Sequence, residues 1–170
     1  FAGRAMSGNP LATAAQREVE DRALRLLARP ELQRARAIVT TLWRNATAWP
    51  SRDQADRFDG MIDEYMFHHA MRAANGDPGD PHAVRFMAPP HHWLGRDVPG
   101  SRWAGDSPDF IYRTVPIAHG GRYEITGRRT GAEGTTVNYS LMGDSTAAPV
   151  TQALLDSLDM AFEADGSFLI

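Results

Sequence analysis

The densest run of side chains able to do chemistry is Trp103-Ala104-Gly105-Asp106-Ser107-Pro108-Asp109-Phe110-Ile111-Tyr112-Arg113. Asp106 and Asp109 are candidate catalytic carboxylates, since two nearby acids can divide general acid and base work or hold a hard cation. Tyr112 and Arg113 would orient a substrate, with Arg113 clamping an anionic group, while Trp93 and Trp103 would wall the apolar part of a ligand site. His91 and His92 stand just before Trp93 in an irregular segment of the kind that often carries functional groups, and they join the candidate catalytic set. Turn chemistry is the competing account of both aspartates. Asp before Ser-Pro accepts backbone N–H bonds in an Asx-turn, and Asp109 can do likewise without any ligand.

The remaining reactive types are sparser. His68 and His69 are adjacent on an expected helix, about 100° apart, and so cannot chelate one metal by themselves. His69 falls on the apolar stripe and is expected in the core, whereas His68, one turn beyond Glu64, is expected at the surface. A zinc or iron site built on His91 and His92 lacks an identified third ligand, so no metal is assigned, and the sequence names no cofactor. No G-x-S-x-G elbow, H-E-x-x-H or G-x-G-x-x-G pattern occurs, and Arg128 and Arg129 read by default as a solvated strand end.

Composition excludes whole classes. The 170 residues contain no cysteine and no lysine, all 18 basic residues being arginine. Thiolate chemistry, Schiff bases and a P-loop lysine are therefore excluded within this segment. A net charge of −3 leaves no electrostatic footprint for nucleic acid, and no apolar run approaches the length that crosses a bilayer. Phe1-Ala2-Gly3-Arg4-Ala5-Met6 lacks the charged-then-apolar pattern of a signal peptide, and with Phe1 rather than methionine first the N-terminus reads as incomplete, compatible with a cytoplasmic or an exported protein.

Three helices must come first. Asn9-Pro10 is expected to open a helix carrying Leu11, Ala15, Val19, Ala23, Leu26 and Leu27 and ending near Arg29. Pro30 starts a second, with Leu32, Ala35, Ile38, Val39, Leu42, Trp43 and Ala46 on one buried stripe, closed by Trp49-Pro50. Ser51 and Gln54 form a capping box for a third, with Phe58, Met61, Ile62, Tyr65, Met66, His69 and Ala73 on one face and Asn75-Gly76 as its stop. Residues 1–75 thus form a helical segment, residues 76–108 a Pro/Gly-rich connector anchored by Val84, Phe86, Met87, Trp93, Leu94 and Trp103, and residues 109–170 a strand-rich region. There, 110–117 is expected to pair through an Ala118-His119-Gly120-Gly121 hairpin with 122–128. Strands around Val137-Tyr139-Leu141 and Leu158-Met160-Phe162 follow, and an Asp165-Gly166 turn leads to Phe168 and Ile170. The expected class is α+β: three helices, then the first antiparallel strands of an incomplete, jelly-roll-like β-sandwich, a five-strand meander whose missing strands would come from further chain or a partner.

The stretch from Trp103 through Gly105-Asp106-Ser107-Pro108-Asp109 and Tyr112 to Tyr123-Glu124-Ile125-Thr126-Gly127, with the later Asp165-Gly166-Ser167-Phe168, resembles the bacterial family catalogued as domain of unknown function 1214. The resemblance spans residues 84–170. Ser107 stands where that family has asparagine, and Phe110 where it often has a small or polar residue. The resemblance implies a β-sandwich or jelly-roll-like domain with further strands after Ile170, and it implies no activity. Two functional readings follow: action on, or binding of, a small molecule at loop 91–113, or a non-catalytic ligand- or partner-binding sandwich module in which the Asp-Ser-Pro-Asp loop is structural.

Overall fold

A computed structural model describes residues 11–47, 51–93, 95–102, 107, 109–129, 136–143 and 150–170. The chain divides after Gly120 into two units. In the first, α1 (Ala14–Leu27) is followed by α2 (Pro30–Ala46), α3 (Arg52–Asp56) and α4 (Phe58–Ala74), then by three-residue strands β1 (Val84–Phe86), β2 (His91–Trp93), β3 (Arg96–Val98) and β4 (Tyr112–Thr114). The second unit holds β5 (Thr126–Arg128), β6 (Asn138–Met142), β7 (Thr151–Asp156), a 3₁₀ turn at Ser157–Asp159 and β8 (Ser167–Leu169). The class is α+β.

Local chemistry sets the helix ends. Thr13 caps α1, its hydroxyl accepting from the Gln16 amide at 3.1 Å. Pro30 sits in the first turn of α2, where its missing N–H costs nothing. Ser51 caps α3 by accepting from Gln54 N at 3.3 Å, but the expected third helix is broken at Arg57 into α3 and α4. The break turns Phe58 into the core, where it is 3% exposed.

Helix α4 is the spine of this unit because two adjacent stripes on it are apolar. Phe67, Ala70, Met71 and Ala74 pack with Val19 and Ala23 of α1 and with Val84, Phe86, Trp93 and Val98 from the strands. Phe58, Ile62 and Met66 pack against Leu32, Ala35 and Val39 of α2. The single stripe expected from spacing was therefore too narrow, and this reverses the two histidines: His68 is fully buried and His69 is exposed. The expected buried stripe on α2 is likewise corrected. No residue of α2 is buried, and Ile38 and Leu42 are each 60% exposed, since only the flank carrying Leu32, Ala35 and Val39 meets α4.

Strand pairing also departs from expectation. Instead of a five-strand meander, the described strands form four separate two-stranded antiparallel pairs: β1 with β4, β2 with β3, β5 with β8, and β6 with β7. The turn at 118–121 makes no hairpin, because β4 pairs back onto β1 while β5 pairs with β8. The expected strand through Leu158, Met160 and Phe162 is a 3₁₀ turn followed by irregular chain. The Asp156 carboxylate accepts from Leu158 N at 2.8 Å and so ends β7 there. The Asp165-Gly166 turn forms as expected, with Gly166 at φ +81° and Asp165 accepting from both the amide and the hydroxyl of Ser167 at 3.0 and 2.7 Å.

Candidate functional site

The side chains that converge most closely do so around a carboxylate that composition and spacing did not single out. Gln16, Val19, Glu20 and Ala23 share the inner stripe of α1, so two polar residues face the core beside two apolar ones. Glu20 is 1% exposed and Gln16 3%. A buried carboxylate is tolerable only when its lone pairs are filled. Glu20 Oε1 accepts from Gln16 Nε2 at 2.8 Å and meets His91 Nε2 at 3.4 Å, while Oε2 accepts from Trp93 Nε1 and from an Arg96 guanidinium nitrogen, each at 2.9 Å. Arg96 also pairs with Asp21 and donates to the Arg17 carbonyl at 3.0 Å. Burial pushes the Glu20 carboxyl upward, the largest single influence, yet the four hydrogen bonds, led by those from His91 and Trp93, outweigh it and hold the group below the ordinary value.

The network ties α1 to the β2–β3 hairpin and to β1. The Gln16 carboxamide behaves as a one-residue strand on the edge of β1: its Oε1 accepts from Arg85 N at 2.5 Å and its Nε2 donates to Arg85 O at 3.2 Å. Above this clamp the Arg85 guanidinium lies 5.7 Å from the Trp93 ring centroid, and the His91 ring meets Trp93 edge-on at 4.3 Å.

A second polar contact pins the connector to α4. His68 Nδ1 donates to the Ser101 carbonyl at 3.1 Å, and Ser101 in turn exchanges bonds with Ala88, its N donating to Ala88 O at 2.7 Å and its Oγ accepting from Ala88 N at 3.1 Å. Burial pulls the His68 imidazole down to about 4, against the smaller opposing effect of the Ser101 carbonyl. His68 is therefore neutral at physiological pH. Arg102 closes the same loop with a two-pronged contact to Glu64, its Nε donating to Oε2 at 2.7 Å.

Against this geometry, the residues expected to form a site separate into groups. His91 and Trp93 belong to the Glu20 network. His92 points to the other face of β2, because neighbours on a strand alternate, and its Nδ1 lies 2.8 Å from Asp97 at the surface. His91 and His92 thus cannot share a metal ion, and among the described residues no three His, Asp or Glu side chains are grouped as ligands. Asp109 is exposed, with its amide 3.4 Å from the Ser107 hydroxyl. Tyr112 is half-buried, and its hydroxyl accepts from Ser107 N at 3.0 Å, which anchors the loop. Arg113 is exposed on β4, directly opposite Arg85. Asp106 and Trp103 lie outside the described residues. In the second unit Arg128 pairs with Asp165 at 2.7 Å, and the Arg129 guanidinium lies 4.2 Å from the Phe162 ring centroid.

Gln16, Glu20, Arg85 and Arg96 are the residues that sequence reasoning missed. A signal for the first two was present: positions 16, 19, 20 and 23 follow helical spacing, so a Gln and a Glu on a stripe with Val and Ala mark a buried polar pair. No family model, no curated protein and no solved structure matches this chain.

Proposed function

We propose that this chain binds a small molecule without transforming it, on the surface of the first unit, where the β1–β4 ribbon adjoins the β2–β3 hairpin. One observation carries the reading. The Glu20 carboxylate, the best-buried acid near the candidate loop, has its oxygens occupied by Gln16, His91, Trp93 and Arg96, and a carboxylate so engaged has no lone pair left to take a substrate proton. His91 is committed on both ring nitrogens, Nδ1 lying 2.8 Å from Pro89 O and Nε2 meeting Glu20. Glu20 and His91 therefore serve as scaffold.

Thermal melting of Glu20→Gln tests this. The amide cannot match four donors, so the scaffold reading predicts a loss of about 3 kcal/mol and a melting temperature lower by several degrees. A melting temperature equal to or above that of the unaltered protein would mark Glu20 as a group kept for chemistry at the expense of stability, and would sink the reading.

The resemblance to the family of unknown function 1214 supplies an architecture for the second unit: its two ribbons as strands of a larger, jelly-roll-like β-sandwich. What supports this is exposure. Leu154, Leu158 and Leu169 are 65%, 76% and 64% exposed, an arrangement that further strands or a partner would cover.

A further inference from the structure

We propose that the outer face of the β1–β4 ribbon takes a small amphiphile, a carboxylate or phosphate carried on an apolar chain, through Arg85 and Arg113; this rests on the binding reading above and gives it a ligand class. The register of the pair places Arg85 directly opposite Arg113, so both side chains rise from the same face. The opposite face carries Val84 and Phe86, which are buried in the core. Two like charges in direct register destabilise a strand pair unless something neutralises them. Among the described residues no carboxylate pairs with either arginine. Glu20 and Asp21 of α1 are already engaged, Glu20 by the four donors around it, and Asp21 by Arg96 and, at 3.8 Å, by Arg17.

Arg85 is also held in advance of any ligand. Gln16 grips its backbone at both N–H and C=O, and Trp93 lies beneath its guanidinium. With its backbone clamped and its guanidinium resting over the Trp93 ring, Arg85 has less freedom to lose when a planar oxyanion docks against its fork. The rest of the ligand is set by what flanks Arg113. Ile111 and Val115, two residues to either side, are 62% and 40% exposed, and residues at that spacing share a face along extended chain. An oxyanion on the arginine pair with an apolar chain along Ile111 or Val115 satisfies both features. Two cations on one ribbon do not make the track that a polyanion needs.

The experiment titrates the full chain, by calorimetry at fixed ionic strength, with octanoate, octyl phosphate and the neutral octanol, and repeats it on Arg113→Gln and Arg113→Lys. Saturable one-to-one binding of octanoate or octyl phosphate is expected, the stronger of the two identifying the headgroup. Arg113→Gln should bind about tenfold more weakly, and Arg113→Lys should fall between it and the unaltered protein. Because the arginine pair is self-repelling, ligand-free Arg113→Gln should melt no lower than the unaltered protein in low salt. A lower melting temperature for ligand-free Arg113→Gln, or unchanged affinity in that variant, overturns the assignment. Octanol binding as tightly as octanoate removes the oxyanion class while leaving the binding reading in place. Absence of saturable binding by all three ends the inference, and Glu20→Gln melting like the unaltered protein would separately end the reading beneath it.

Discussion

The two units solve the problem of burial differently. Every buried apolar side chain among the described residues lies between Val19 and Val98, in the first unit, whereas among the described residues of the second only Ser157 is buried. The first unit surrounds α4 on two sides and fills its polar exceptions, Gln16, Glu20 and His68, with specific partners. The second is held by ribbon hydrogen bonds and by a half-buried aromatic group in which Phe168 meets Phe162 at 5.8 Å and Tyr139 at 6.2 Å. Burial there is enough to raise the Tyr139 phenol, yet no apolar side chain among the described residues of this unit is buried. Three-residue strands are tolerable when a helix covers them, and paired ribbons without that cover are marginal.

The largest effect should come from the spine of the first unit. Phe67→Ala removes a side chain that is 1% exposed and should cost about 3–5 kcal/mol in urea unfolding. Phe168→Ala, in the half-buried cluster of the second unit, should cost only about 1–2 kcal/mol. Equal costs would break the comparison.

Acid should separate the units next. The His68 imidazole is depressed to about 4, so the unfolded chain binds a proton there before the folded one does. The contribution is complete above the unfolded value near 6.5 and is lost as pH falls from there toward 4, on the order of 2–3 kcal/mol in all. Glu20 adds to this further down. Its depressed carboxyl stabilises the fold above the ordinary carboxylate value of 4.5, and that contribution goes as pH falls through the folded value. Unfolding free energy measured between pH 7 and pH 4 should therefore decline steeply, and in His68→Asn, which keeps a donor for the Ser101 carbonyl, the part of the slope between 6.5 and 4 should flatten. An unaltered slope in that variant would remove His68 as the origin.

The smallest effect belongs to the turn that launches β8. Gly166 has φ +81°, and a Cβ there would stand 2.7 Å from Arg129 O, so Gly166→Ala should cost about 1–2 kcal/mol and act on the second unit alone. Chemical-shift changes confined to residues after Gly120 would show that localisation.

What could be read from residue types follows the same division. The helices were legible because three-and-four spacing, Pro30 and the Ser51 cap act within a few residues of one another. Their buried faces were less so, because α4 packs on two sides and an average stripe cannot show it; hence the exchange of His68 and His69. Strand partners were not legible. Val84-Arg85-Phe86 is too short to show alternation, and its partner Tyr112–Thr114 was expected to pair forward through the turn at 118–121. Of the Glu20 network only the helical register with Gln16, Val19 and Ala23 was legible; its partners were not, because the donors that make burial possible come from Trp93 and Arg96, more than seventy positions away. Of the expected site, the structure joins His91 and Trp93, turns His92 away from them, and sets Arg113 against Arg85.

If the buried core decides stability, the first unit should stay closed where the second opens. Native-state hydrogen exchange, read amide by amide, tests it most directly. Amides of α1, α4 and β1–β3, including the Arg85 N–H held by Gln16, should exchange only through the most costly opening of the molecule, while those of β5–β8 should exchange through openings several kcal/mol cheaper, roughly 2–4 kcal/mol. Uniform protection across both units, or slower exchange in the ribbons than in α4, would contradict the account.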